Sequence, residues 1–133
     1  MSELVSTVKD MYAAFGRGDI DTILNHTTDD VDWQFEAPAA LSWSGMRKGR
    51  AETMGFFEGI AAEHDTPVLV IDHYFSNGDS VATFGRYDAT VKATGKRVSS
   101  PVAHYFQFRD GKVCRYVNII NSGAFLEAAA VTI

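Results

Sequence analysis

The sequence predicts an α+β fold in which helices pack on one face of an antiparallel sheet, and three observations carry this. Apolar residues follow a helical period through most of the first sixty positions. From Val68 the period changes to two and stays there. Tight-turn signals at Asn77-Gly78-Asp79, Thr94-Gly95-Lys96 and Asp110-Gly111 cut that second stretch into four strands joined as a meander. The chain of 133 residues, 46% hydrophobic and 22% charged, fits a single domain over 1–133. At this length a chain buries roughly two thirds of the surface its unfolded form exposes, so neither metal nor disulfide is needed to hold it.

Leu4, Val5, Val8, Met11, Tyr12 and Phe15 share one side of a first helix, which Gly16-Arg17-Gly18 ends. Asp19 caps a shorter helix carrying Ile20, Ile23 and Leu24, and Thr27-Thr28-Asp29-Asp30 is expected to turn the chain. Val31-Asp32-Trp33-Gln34-Phe35 alternates as a short strand with Val31, Trp33 and Phe35 inward, stopped by Ala37-Pro38-Ala39. Leu41 to Gly49 has no period and is expected to be a loop long enough to cover something. A third helix follows from Arg50 to Ala62, with Ala51, Met54, Phe57, Ile60 and Ala61 on its apolar side and Gly55 and Gly59 allowing close packing. The strands are expected at 68–76, 80–91, 97–108 and 113–120, and Asn121 or Ser122 caps a last short helix.

The last hairpin is the most informative stretch for function. Alternation places Val102, His104, Phe106 and Phe108 on one face of its first strand and Tyr116, Asn118 and Ile120 on one face of its second. Two polar groups thus interrupt an apolar wall. If that wall lines a cavity, His104 and Asn118 are where a ligand is held or a proton moved. The alternative is a neutral histidine hydrogen-bonded to Asn118 so that two buried polar groups satisfy each other. Trp33, Phe35, Met54, Phe57 and Phe106 form either a sleeve around a flat ligand or ordinary core. Trp43, on the irregular loop, is expected to anchor a lid over the mouth, with a dimer contact as the alternative.

Other chemistries lack residues. The formal charge of −5 opposes a phosphate backbone, so nucleic acid is not an expected partner. His26, His64 and His73 are scattered without ligand spacing, and no metal or other cofactor is expected. Cys114 is the only cysteine, which rules out an internal disulfide and suits a reducing compartment. No apolar run reaches membrane-span length and Met1-Ser2-Glu3-Leu4 is unlike a signal peptide, so a cytoplasmic protein without a membrane partner is expected.

Four phrases, in order, resemble the nuclear transport factor 2-like superfamily in its SnoaL-like and ketosteroid isomerase-related branch. They are Tyr12-Ala13-Ala14-Phe15-Gly16-Arg17-Gly18-Asp19-Ile20-Asp21, then Asp29-Asp30-Val31-Asp32-Trp33, then Gly45 through Arg50 leading into Phe56-Phe57, and finally Phe108-Arg109-Asp110-Gly111-Lys112-Val113. The resemblance covers nearly the whole chain. It implies a curved antiparallel sheet wrapped by the N-terminal helices into a cone with an apolar pocket, and homodimers that pair outer sheet faces. It does not select an activity, because this fold hosts isomerases, cyclases, dehydratases, epoxide hydrolases and adaptors.

Tyr12 falls at the tyrosine that ketosteroid isomerases use to hold a developing enolate. His104 falls at their protonated aspartate if this hairpin turn is one residue shorter, and Phe35 replaces their proton-moving aspartate. His104 also looks like the histidine of the SnoaL-type cyclases, but Asn118 stands where they carry a basic aspartate, and an amide is no base near neutral pH. The expectation is a cofactor-free pocket protein for a small hydrophobic carbonyl compound, acting as an isomerase, cyclase or lyase. In it His104, Asn118 and Tyr12 do the polar work, Tyr116 adds a hydrogen bond, and Trp33, Phe35, Met54, Phe57, Phe106 and Trp43 form the walls. The alternative is a non-catalytic ligand-binding or dimeric interaction module of the same shape.

Overall fold

Hairpin chemistry builds most of the sheet. In the computed structural model, which describes residues 3–130, β3 (His64–Asn77), β4 (Ser80–Val91), β5 (Arg97–Arg109) and β6 (Lys112–Ile120) pair antiparallel in chain order. Their turns use the residues that tolerate a left-handed backbone: Gly78 at φ 60°, Gly95 at 74° and Asp110-Gly111 at 52° and 78°. β1 (Thr27–Phe35) lies parallel to β6, and β2 (Gly45–Lys48) lies antiparallel to β1. The sheet order is β2-β1-β6-β5-β4-β3, a curved and unclosed sheet with the helices packed on its concave side.

Burial follows the alternation. Val102, His104, Phe106 and Phe108 on β5 are all buried, as are Val31, Trp33 and Phe35 on β1. α1 (Glu3–Gly16) buries Val5, Val8, Met11 and Ala14, and the Asp19 carboxylate accepts the Thr22 amide to start α2 (Ile20–Asn25). α4 (Ser122–Ala128) inserts Phe125 and Leu126 into the core. Its cap is Asn121, whose Oδ1 accepts from the Ala124 amide at 3.2 Å. Asn121→Ala is expected to lower the unfolding free energy by about 1 kcal/mol in urea titrations, the usual cost of a lost N-cap.

Three local expectations need correction. Thr27–Asp30 is not a turn: it is the first part of β1, where buried Thr27 donates to the Leu24 carbonyl and pairs with Val113. The loop from Leu41 to Gly49 contains β2, which takes up the free edge of β1 through Asp32↔Lys48 to Phe35↔Gly45. Four residues are too few for a period to show. The third helix, α3 (Gly49–Glu63), buries Thr53, Phe56, Phe57, Gly59 and Ile60, whereas Ala51 and Ala61 face solvent. Its seam is set by Gly59: a Cβ there would lie 2.8 Å from the backbone of Ser42 and Trp43, so only glycine lets the helix meet that loop.

Candidate functional site

Strand register creates a polar row across three strands. Thr83 on β4, His104 on β5 and Asn118 on β6 are direct neighbours, Thr83↔His104 and His104↔Asn118, and all three are buried. α1 supplies the fourth member. The Tyr12 hydroxyl lies 2.6 Å from Thr83 Oγ1 and 2.7 Å from His104 Nδ1. In the direction Thr83 to Tyr12 to His104 each hydroxyl proton has an acceptor; in the reverse direction the Thr83 proton has none. This accounting puts the imidazole proton on Nε2 and makes that nitrogen a donor.

Burial keeps these groups uncharged. Desolvation pushes the His104 imidazole down to about 3, and a hydrogen bond with the Asn118 side chain opposes this only in part. The Tyr12 and Tyr116 phenols are pushed far up by the same burial. His104 is thus a neutral hydrogen-bonding group through the physiological range, not a base of ordinary strength.

Tyr12, His104 and Asn118 line a cavity of about 60 Å³, while Thr83 lies outside its lining and is bonded to Tyr12. At roughly 10–15 Å³ per water this admits about four to six waters, less than half the roughly 150 Å³ in which an engineered apolar cavity holds a benzene ring. Of the residues singled out from sequence, Tyr12, Trp33, Trp43 and Phe57 line it, as do His104, Phe106, Tyr116 and Asn118. The Trp33 ring stacks on Tyr116 at 3.9 Å and 17°, a flat aromatic wall beside Asn118.

Two expected wall residues are elsewhere. Phe35 is fully buried but behind the wall, against Trp43 at 4.6 Å, and Met54 is only half-buried on α3 and does not reach the cavity; Phe56 does. Nor is Trp43 a lid. It is 1% exposed, packed among Phe35, Phe56, His64, Tyr87 and Phe125, because Gly59 lets its loop sink onto α3.

Sequence reasoning missed Thr83, which counting register back from the Thr94-Gly95-Lys96 hairpin would have placed beside His104. It also missed a second buried pair, His64 Nδ1 and the Tyr87 hydroxyl at 2.8 Å, with Tyr87 lining the cavity. Desolvation lowers the His64 pKa as well. Among the described residues no cluster of three His, Cys, Asp or Glu side chains is placed to hold a metal, and no helix is long and apolar enough to cross a membrane.

A family model for the SnoaL-like domain matches residues 8–116, most of the chain. The protein belongs to the SnoaL-like family. Solved structures share this SnoaL-like fold across almost their full length. An NTF2-like protein of unknown function from Burkholderia pseudomallei is 20% identical with a TM-score of 0.92, covering 98% of this chain and 100% of its own. TerC, co-crystallised with polyporic acid, is 25% identical with a TM-score of 0.88, covering 97% and 99%. A protein with a ketosteroid isomerase-like fold from Catenulispora acidiphila, in complex with trimethylamine, is 14% identical with a TM-score of 0.79, covering 99% and 95%. No curated protein matches the sequence of this SnoaL-like chain.

Proposed function

We propose that this protein holds a small, flat, uncharged carbonyl compound in the aromatic cavity, with the Thr83–Tyr12–His104 relay and Asn118 as its polar end. The observation that carries the reading is that polar patch itself: Tyr12, His104 and Asn118, from three elements, line a cavity otherwise walled mostly by rings and aliphatic groups, with Thr83 behind Tyr12. Such convergence orients a ligand, since apolar walls supply affinity and a few placed polar groups supply direction. His104 Nε2–H is the donor best suited to a ligand carbonyl, and a neutral imidazole polarises a carbonyl without giving up a proton. TerC, with polyporic acid in its crystals, lends the ligand-pocket reading support from a relative of the same shape.

The test is a thermal-shift screen of small ketones and lactones, from acyclic to single-ring, at pH 7. A native-state ligand at a hundred times its Kd stabilises by about 2.7 kcal/mol, so a genuine occupant raises the Tm by several degrees. Shifts that persist undiminished in Tyr12→Phe, which loses both hydroxyl contacts, would place the ligand elsewhere.

Catalysis as an isomerase, cyclase or lyase is the second reading, favoured by the unbroken relay from Thr83 to His104. Its mark is proton exchange: α-protons of a bound ketone should exchange into D₂O faster with protein than with buffer, and Tyr12→Phe should abolish the excess. Binding without exchange would leave a ligand-binding module.

Homodimerisation through the outer sheet face belongs to the same proposal. Val70, Phe75, Phe84 and Ile119 on that side are each about half exposed, and Phe75 and Phe84 touch ring to ring at 6.0 Å. Sedimentation should give twice the chain mass, and Phe84→Lys should return it to one.

A further inference from the structure

The outer face of the sheet carries a carboxylate that nothing in the chain matches. Asp88 is half-buried on β4; its Oδ1 is sealed from solvent without a hydrogen-bond partner, and its other oxygen opens onto the face. A carboxylate left so costs stability unless a donor or a cation comes to it from elsewhere. Strand register shows where one stands. Phe84 on β4, Ala103 on β5 and Ile119 on β6 form a single row, Phe84↔Ala103 and Ala103↔Ile119, with Phe84 47% and Ile119 61% exposed. Asp88 lies four residues after Phe84, beside Ser99, and Arg115 lies four residues before Ile119, beside Gln107. Because β4 and β6 run the same way, the two charges sit on opposite sides of the row at equal distances from Ala103. Arg115 is exposed; among the described residues it forms no ion pair, and its hydrogen bond to Gln34 Oε1 is long at 3.4 Å.

That point symmetry is what a two-fold contact between identical chains requires, since residue i then meets residue j of the partner and j meets i. An axis through Ala103, normal to the sheet, lays β5 antiparallel on its own copy, the aligned arrangement of sheets packed face to face. It sets Phe84 on the partner's Ile119 and Asp88 opposite the partner's Arg115, each contact made twice. An axis through Phe84 instead sets Asp88 against the partner's Ser80 and carries Ile119 past the edge strand β3. We propose that a second copy of this chain docks on the outer face about Ala103, with Asp88 and the partner's Arg115 fixing the alignment. This rests on the homodimer proposed above and names the contacts that register it. Apolar pairs supply the association, and charge pairs select one alignment. Moving the axis along β5 separates the charged and the apolar pairs at once.

Sedimentation equilibrium at pH 7 and low salt on the unmodified protein, Asp88→Arg, Arg115→Asp and the combined exchange tests the proposal. Each single reversal puts like charges face to face twice and should raise the dimer Kd at least about tenfold. The combined exchange restores opposite signs and should return the Kd to near that of the unmodified protein. An unchanged Kd in Arg115→Asp, or a combined variant that associates no better than the singles, would overturn the alignment and leave the homodimer reading standing. A monomeric unmodified protein would overturn both. Where Asp88→Arg folds poorly, Asp88→Asn keeps the shape and removes the charge. Added to Arg115→Asp it should recover part of the lost association, and no recovery would overturn the pair.

Discussion

Trp43→Ala is expected to lower the unfolding free energy by about 3–5 kcal/mol, the range for truncating a large buried aromatic side chain. The indole is 1% exposed and stands between the sheet and the closing helices. Its ring lies 4.6 Å from Phe35, 5.1 Å from His64 and 5.3 Å from Phe125, so its loss removes the shared neighbour of β1, β3 and α4. The surroundings cannot collapse to fill the gap. The Arg47 guanidinium donates to the carbonyls of Ser42, Trp43 and Ser44, and the Glu63 carboxylate accepts from the Ser42 amide and hydroxyl, which pins the loop from both sides. The new void would also join the existing cavity, since Trp43 already lines it. Urea unfolding at pH 7 measures the loss, and a drop below about 1 kcal/mol would mean that the loop repacks freely, against the anchoring described.

The second large effect is on acid stability. An unfolded imidazole takes a proton near 6.5, whereas folded His104 resists protonation down to about 3 because its site is desolvated. Between those values the unfolded chain binds one more proton than the native one, so stability falls as pH falls. The slope approaches about 1.4 kcal/mol per pH unit once the unfolded imidazole is protonated, and lowering the pH from 6.5 to 4.5 should cost about 2 kcal/mol through this residue alone. His104→Gln cannot titrate and keeps a side chain able to meet the Tyr12 hydroxyl. Its loss of stability between pH 7 and 4.5 should therefore be smaller than that of the unmodified protein by about 2–3 kcal/mol. Other groups do not confuse the comparison. His64, whose pKa is also lowered by burial, is common to both proteins. Asp30, held down to about 2 by Arg109, weakens folding only below the unfolded carboxylate range. Equal losses in the two proteins would show that the folded imidazole protonates as freely as an exposed one, and the neutral relay would have to be abandoned.

Both effects depend on depth, and depth was the part of the molecule least visible from the chain. Alternation on β5 and β6 is sufficient to put His104 and Asn118 on inward faces, but counting from the Asp110-Gly111 turn pairs His104 with Val117, and it is a bulge between the Phe108↔Val113 and Gln107↔Arg115 pairs that makes Asn118 its neighbour. Capping chemistry likewise placed Asp19 and Asn121 where helices begin. An aperiodic segment makes Trp43 look like a surface anchor; its burial comes from a glycine sixteen positions later, Gly59, that has no bearing on Trp43 until α3 folds against the loop. Phe35 alternates inward as expected yet lies behind the wall, since sharing a face does not say which layer of that face meets the cavity.

The amino-acid order alone determined the elements from Val68 onward, the inward residues of each strand and the membership of the polar row on β5 and β6, because these follow from a period of two and from turns a few residues long. The tertiary structure alone decided that Tyr12 reaches Thr83 and His104, that β2 covers the edge of β1, and that Trp43 lies in the core. Those facts are distances between elements far apart in the chain. Local periodicity carries the direction in which a side chain leaves its own backbone, but how closely two such side chains approach is set by the packing of whole helices on the curved sheet.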